Sequence, residues 1–117
     1  MAEKGKPIIW MGDSRKVVRL FPTEVNQDIG VALYDAQMGE KSPLAKPFKG
    51  IAPGVFEIAI RFDKNAYRLV YVVQIGQHIY VLHAFQKKSK RGIATTQHDV
   101  NLIKQRYSQA VDLEDKL

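Results

Sequence analysis

The sequence predicts a single α+β domain over residues 1–117. It is a small twisted antiparallel β-sheet with two N-terminal helices and one C-terminal helix, in the order β-α-α-β-β-β-α. Three apolar segments of strand length lie between residues 55 and 85, joined by residues typical of tight turns. Segments 14–38 and 96–111 instead repeat apolar residues every three or four positions, as one face of a helix does. These two patterns together predict the fold class.

The N-terminal third contains a short strand followed by two helices. Gly12 ends the strand, and Ser14 is suited to cap the first helix. Pro22 suits the first turn of the second helix, where its missing N–H is not needed, and Gly39 closes that helix. Residues 40–54 contain three prolines and two glycines, so we expect no regular structure there.

The middle of the chain forms a meander of three antiparallel strands. Turns at Asp63–Asn65 and Gly76–Gln77 connect these strands. Thr96 and Asp99 have the spacing of a capping box, which begins the final helix. The first strand alternates, with Phe56, Ile58 and Ile60 on one face and Glu57, Ala59 and Arg61 on the other. We expect all helices to pack on the apolar face and to leave the opposite face open.

Composition limits the classes of function. The chain has 18 Lys and Arg against 12 Asp and Glu, a net charge of +6. A small domain this basic typically binds a polyanion such as nucleic acid, although excess charge for solubility is the alternative. The absence of cysteine excludes a disulfide framework, a thiolate zinc site and a thiol nucleophile.

Cofactor and membrane signals are also missing from the sequence. There is no phosphate-binding glycine loop, dinucleotide fingerprint, His-Glu-x-x-His element or acidic cluster for two-metal catalysis, so we expect no cofactor. No apolar run reaches the length of about 18 residues that a membrane span needs. The start lacks the apolar stretch of a signal peptide, which favours a cytoplasmic protein.

Cationic residues converge on the face predicted to be open. Arg61 and Arg68 share that face by alternation, and a basic run leaves the third strand beside it. Such a surface suits a phosphate backbone, and Phe85 can stack on an unpaired base. The run consists of Lys87, Lys88, Ser89, Lys90 and Arg91.

Each candidate has a structural alternative. Arg61 can form an ion pair with Glu57, and the basic run can be a solvated loop. His83 lies in a nearly apolar strand, which favours a core histidine over a catalyst. His98, in the first turn of the last helix, is a candidate acid or base. Tyr107 lies on the buried stripe of that helix, so packing is its default role.

The strands FEIAIRF, AYRLVYVV and IYVLHAFQKKSK, with the closing helix, resemble the HigB-like, phage-derived branch of the RelE/ParE superfamily. The spacing of Trp10, Gly12 and Ser14 near the start adds to the resemblance. The resemblance implies the toxin of a type II toxin–antitoxin pair, a ribosome-dependent endoribonuclease. Such enzymes cut mRNA by attack of the ribose 2′-hydroxyl on the adjacent phosphate, and a separate antitoxin, here expected to carry a helix-turn-helix, neutralises them.

The resemblance also implies roles for individual residues. Arg68 corresponds to the arginine expected to hold the scissile phosphate, and its replacement by alanine is expected to abolish cleavage with little loss of fold. Lys87 and Lys88 correspond to further charge stabilisers. The acid and base remain open between His98, Tyr107 and a lysine. The alternatives to the nuclease are a ParE-like inhibitor of DNA gyrase that cuts nothing, and a phage-derived binding protein without toxicity.

Overall fold

The computed structural model describes residues 5–88 and 95–117, and the side chain of Lys88 lies outside that description. The elements follow the predicted order with one additional strand. They are β1 (Ile8–Trp10), α1 (Ser14–Arg19), α2 (Thr23–Gln37), β2 (Ala45–Pro47), β3 (Val55–Phe62), β4 (Asn65–Ile75), β5 (His78–Lys88) and α3 (Gln97–Asp115).

The sheet has five strands in the order β1-β5-β4-β3-β2. β3, β4 and β5 form the predicted antiparallel meander. β1 pairs with β5 in parallel, so the sheet is mixed rather than purely antiparallel. β2 lies in the proline-rich segment predicted to be irregular, and it forms at the sheet edge, where Pro47 removes no hydrogen bond from the sheet interior.

The sheet is covered on both faces, so the expectation that all helices share one face is wrong. α1 and α2 pack on the face of Ile58 and Leu69, whereas Ile103 and Ala110 of α3 pack on the opposite face. The physical reason is that β4 and β5 are apolar on both sides. Their second set of apolar side chains, Val70, Val72, Tyr80 and Leu82, is fully buried only because α3 covers it.

Two helix starts test the capping predictions. Thr96 caps α3, and its hydroxyl oxygen accepts the backbone N–H of Asp99 at 3.2 Å. Ser14 is not the cap of α1: that position is Asp13, and the Ser14 hydroxyl donates instead to the carbonyl of Val81 at 3.4 Å. Ser14 is therefore a buried link between α1 and β5.

Among residues 5–88 and 95–117, no helix combines the length and apolarity that crossing a bilayer requires.

Candidate nucleic-acid interface

Nine side-chain positions on the α3 side of the sheet form three rows across β3, β4 and β5. Residues directly opposite each other on neighbouring strands share a face, so the strand register fixes the rows. The rows are Arg61, Ala66 and Lys87; Ala59, Arg68 and Phe85; and Glu57, Val70 and His83. We call these nine positions the cationic face.

Arg68 occupies the centre of the cationic face. Its guanidinium donates to the Glu57 carboxylate at 2.7 Å, and the two side chains are 18% and 6% exposed. Arg68 thus forms an ion pair with Glu57, the carboxylate that the sequence suggested as a partner for Arg61. The Arg61 side chain is exposed. Ala59 and Ala66 are the neighbours of Arg68 and Lys87 in the register.

Lys87 lies at one corner, held between an aromatic ring and a carboxylate. Its ammonium is 5.4 Å from the centre of the Phe85 ring and 3.1 Å from a carboxylate oxygen of Asp99. Phe85 in turn stacks on the His83 ring, with centroids 4.9 Å apart. Cation–π and ionic contacts together define the position of the Lys87 ammonium.

Asp99 connects α3 to the cationic face. One carboxylate oxygen lies 2.8 Å from His83 Nε2, and the other accepts from Lys87 and from the Thr96 hydroxyl. Burial raises the pKa of a carboxyl, yet the hydrogen bonds from His83, Thr96 and Lys87 hold the pKa of Asp99 below its ordinary value. Asp99 is therefore an ionised carboxylate at neutral pH.

His83 is a buried, hydrogen-bonded histidine, as the structural alternative for it predicted. Its Nδ1 atom lies 3.3 Å from the Arg106 guanidinium. Arg106 also donates to the carbonyl of Leu82 at 3.1 Å and to Asp13 at 3.1 Å. The network thus joins α3, β5 and the start of α1.

Lys46 is a cation on this face that sequence reasoning missed. It pairs in register with Glu57, on the side away from Val70, and it is exposed. Its segment was assigned to irregular structure, so no alternation placed it on a face. With Lys46, four cations stand against the two carboxylates of Glu57 and Asp99 in this region of the described chain.

The remaining candidates differ in what the structure says of them. His98 is exposed in the first turn of α3, next to Asp99. Tyr107 is half-buried in the apolar cluster beneath α3, as its default role predicted. Lys90 and Arg91 lie outside the described residues, as does the side chain of Lys88.

The opposite face carries a separate groove of about 450 Å³, lined in part by Phe56, Tyr71 and Met38. Burial and the negative charge of Asp35 raise the pKa of Tyr71 to about 12. Within the described part of the chain, no three His, Asp or Glu side chains are grouped closely enough to bind a metal ion.

The arrangement can bind a phosphate. Arginine and lysine donors suit the oxygens of a phosphodiester. Phe85, which the sequence suggested as a stacking surface for a base, is buried against His83 and Lys87. α3 runs along β5, and its first turn reaches the cationic face, where Val70, His83 and Phe85 are buried. The part that remains accessible is the row of Arg61 and Lys87: Arg61 is exposed, and Lys87 keeps 19% of its side-chain surface.

Comparisons with known proteins agree with the fold. The family model for phage derived protein Gp49-like matches residues 16–108. The crystal structure of the isolated E. coli RelE toxin is similar, with a TM-score of 0.55, 20% identity, and coverage of 92% of this chain and 97% of the RelE chain. An arginine-to-alanine double mutant of E. coli RelE in the free state gives a TM-score of 0.53 at 20% identity, covering 93% of this chain and 97% of its own. A search of curated protein sequences finds no significant match.

Proposed function

The chain belongs to the family of phage-derived Gp49-like proteins, as its resemblance to the phage-derived branch predicts, and on that premise we propose that it is the toxin of a type II toxin–antitoxin pair. Its proposed activity is ribosome-dependent cleavage of mRNA. The RelE-like fold is consistent with that role. We expect the protein to act in the cytoplasm, where ribosomes are found.

The proposed chemistry is an internal transfer at one phosphodiester. The ribose 2′-hydroxyl loses its proton to a base and its oxygen bonds to the adjacent phosphorus. The bond from phosphorus to the 5′-oxygen breaks, and that oxygen takes a proton from an acid. Negative charge builds up on the non-bridging oxygens in between, where fixed cations stabilise the transition state more than the ground state.

Side chains of the cationic face match the charges of that reaction. Arg68 is proposed to hold the scissile phosphate and Lys87 to neutralise the developing charge, in the role that metal ions have in other nucleases. Arg61 would bind the neighbouring phosphate. Phe85 is buried between the His83 ring and the Lys87 ammonium, so it supports the position of Lys87 and does not present the open ring face that stacking on a base requires. His98 is the proposed acid or base, since its exposure beside the face favours it over Tyr107.

The observation that carries the proposal is the convergence of Arg61, Arg68 and Lys87 in two adjacent rows, around two alanines and beside an aromatic ring. A surface that binds only another protein is depleted of charge at its centre. The ParE-like and non-toxic alternatives therefore have less support. The proposed partners are the ribosome, its mRNA and a separately encoded antitoxin with a helix-turn-helix.

The decisive experiment expresses the protein and follows translation, message integrity and DNA damage together. The proposal expects arrested translation and cleaved, translated messages. Intact messages with DNA breaks would instead indicate gyrase inhibition. Intact messages with normal growth would indicate a non-toxic binding protein.

Arg68 is the residue to replace, but alanine alone is a poor variant. Glu57 is buried, and removing its partner strands a carboxylate at a cost of about 3–5 kcal/mol, which corrects the expectation of an undisturbed fold. The double variant Glu57→Gln/Arg68→Gln removes both charges at once. We expect it to fold and to lose cleavage by about 100-fold or more, because a lost transition-state donor costs that much.

Glu57→Gln alone is the matched control, since it keeps the arginine and removes only the carboxylate charge. We expect this control to keep most of the cleavage activity. Circular dichroism and thermal unfolding establish that each variant is folded. A folded double variant that cleaves at the wild-type rate contradicts the assignment of Arg68.

A further inference from the structure

A single carboxylate on α3 holds two side chains of the cationic face. Asp99 is 9% exposed and lies 2.8 Å from His83 and 3.1 Å from Lys87, each through a different oxygen. Both of these side chains belong to β5. The position of Lys87 therefore depends on the first turn of α3.

The Asp99 carboxylate does more than cap its own helix. In a capping box the third helical side chain accepts the backbone N–H of the cap residue. Here the Thr96 hydroxyl oxygen accepts the Asp99 backbone N–H, and the Thr96 hydroxyl donates to the Asp99 carboxylate at 2.8 Å. Both carboxylate oxygens thus serve β5.

His83 orients the carboxylate. Arg106 is only a donor, so His83 Nδ1 accepts from it and the ring hydrogen is on Nε2, directed at Asp99. Both ring nitrogens are engaged, so His83 has no atom left with which to take the proton of an RNA hydroxyl. Its role is to fix the angle at which Asp99 meets Lys87.

Asp99 restricts Lys87, a side chain that has large conformational freedom without such contacts. Lysine carries its charge on a four-carbon stem with large conformational freedom. Asp99 on one side and the Phe85 ring on the other hold the ammonium within the row that also contains Arg61. A charge held in place before the reaction stabilises a transition state without reorganisation.

We infer that Asp99 is a positioning residue of the proposed nuclease: it does not touch RNA, and it acts by holding Lys87 where charge develops on the phosphate. This inference rests on the proposed function. It follows that the cationic face is complete only when α3 is docked on the sheet, because the residue that holds Lys87 in place comes from that helix.

The test is Asp99→Asn, measured as kcat and KM for cleavage of a translated message. We expect kcat to fall about 10- to 100-fold, the size of effect that a misplacement near 1 Å produces. KM should fall as well, because a negative charge beside the RNA is removed. A carboxylate that merely stabilised the fold would lower the active fraction, and with it the apparent kcat, and would leave KM unchanged.

A double-mutant cycle with Lys87→Ala tests whether Asp99 affects kcat through Lys87. If Asp99 acts through Lys87, Asp99→Asn costs kcat nothing further once Lys87 is gone. Glu114→Gln is the matched control, because Glu114 anchors the other end of α3 to β5 far along the helix. We expect Glu114→Gln to leave kcat unchanged.

The possible failures are distinguishable. A wild-type protein that cleaves no message overturns the proposed function and the inference with it. A wild type that cleaves, with Asp99→Asn equally fast, overturns the inference alone. So does an Asp99→Asn effect that persists in full in the Lys87→Ala background. The ¹⁵N signal of the Lys87 ammonium, which should shift in folded Asp99→Asn, provides a readout independent of cleavage.

Discussion

At the scale of single residues, the requirement for glycine at position 12 depends on a residue of a distant element, Arg106 of α3. Gly12 has φ +54°, and a Cβ atom there would lie 2.5 Å from the Arg106 guanidinium carbon. Arg106 passes under this glycine to reach Leu82, His83 and Asp13. The Trp-x-Gly-x-Ser element therefore makes room for an arginine of α3, in addition to ending β1.

Gly12→Ala is expected to destabilise the protein through two effects. The left-handed conformation costs an alanine about 1–2 kcal/mol. Displacing Arg106 leaves the Leu82 carbonyl without its donor, at a cost of about 1–3 kcal/mol. Urea unfolding measures the sum. Gly39→Ala is the control, since Gly39 has φ +85° with open space around it and incurs only the conformational cost. Equal losses in the two variants would contradict the role of Arg106.

The residues that sequence predicted correctly are those whose placement depends on local periodicity. Alternation along β3 and β4 assigns Arg61 and Arg68 to one face, and the structure confirms that shared face. The contacts of Asp13 with Arg106 join residues 93 positions apart. No periodicity of either segment encodes such a meeting, because the topology of the sheet and the docking of α3 create it.

At the scale of elements, α3 is attached to β5 by polar groups at both ends. Asp99 contacts His83 and Lys87 near the end of β5, and Glu114 contacts its start. Glu114 accepts from the Tyr80 hydroxyl at 2.6 Å and from the Gln77 backbone at 3.0 Å, and it lies 2.8 Å from His78. The helix thus runs antiparallel to the strand.

The attachment of α3 predicts acid sensitivity. The hydrogen bonds from Tyr80, Gln77 and His78 lower the pKa of Glu114 from 4.5 to about 2. A carboxyl with a lowered folded pKa contributes stability that is present above its unfolded pKa and lost as pH falls through the folded pKa. Glu114 therefore stabilises the fold above pH 4.5, and its contribution disappears between pH 4.5 and about 2.

Glu114→Gln should reduce the slope of unfolding free energy against pH in that window, because the glutamine binds no proton. Urea unfolding at several pH values between 5 and 2 measures the slope. Asp112→Asn removes an exposed carboxyl from the same helix and is the matched control. Parallel pH profiles for wild type and Glu114→Gln would show that Glu114 is not the group responsible.

The same helix explains which part of the architecture sequence could not predict. The stripe of Val100, Ile103, Tyr107 and Ala110 predicts that α3 has a buried face, but not which side of the sheet it meets. The position of α3 follows from β4 and β5, which carry apolar residues on both faces. Each face therefore has to be covered by a helix, and α3 covers the face that α1 and α2 leave exposed. The turn between β3 and β4, by contrast, could be predicted from the residues at that place alone. Asp63 and Lys64 both have positive φ, as a tight two-residue turn requires.

At the scale of the whole molecule, the two faces of the sheet have different character. The α1–α2 side carries the larger apolar cluster, and the α3 side combines a smaller core with the cationic face. The net charge of +6 includes exposed cations on both sides, because α1 also carries exposed Arg15, Lys16 and Arg19. If the cationic face binds RNA, the position of a lysine should matter more than its charge.

Lys46 and Lys16 test this difference, since both are exposed and each contributes one positive charge. Lys46 extends the cationic face beside Glu57, whereas Lys16 lies on α1, which packs on the other side of the sheet. Lys46→Ala should weaken binding of single-stranded RNA and reduce the slope of log K against log salt by about 0.7, the value for one lost phosphate contact. Lys16→Ala should leave that slope unchanged, because its charge meets no phosphate. Titrations at several salt concentrations decide the matter: equal slopes for the two variants would mean that RNA responds to net charge alone, and that the cationic face is not where it binds.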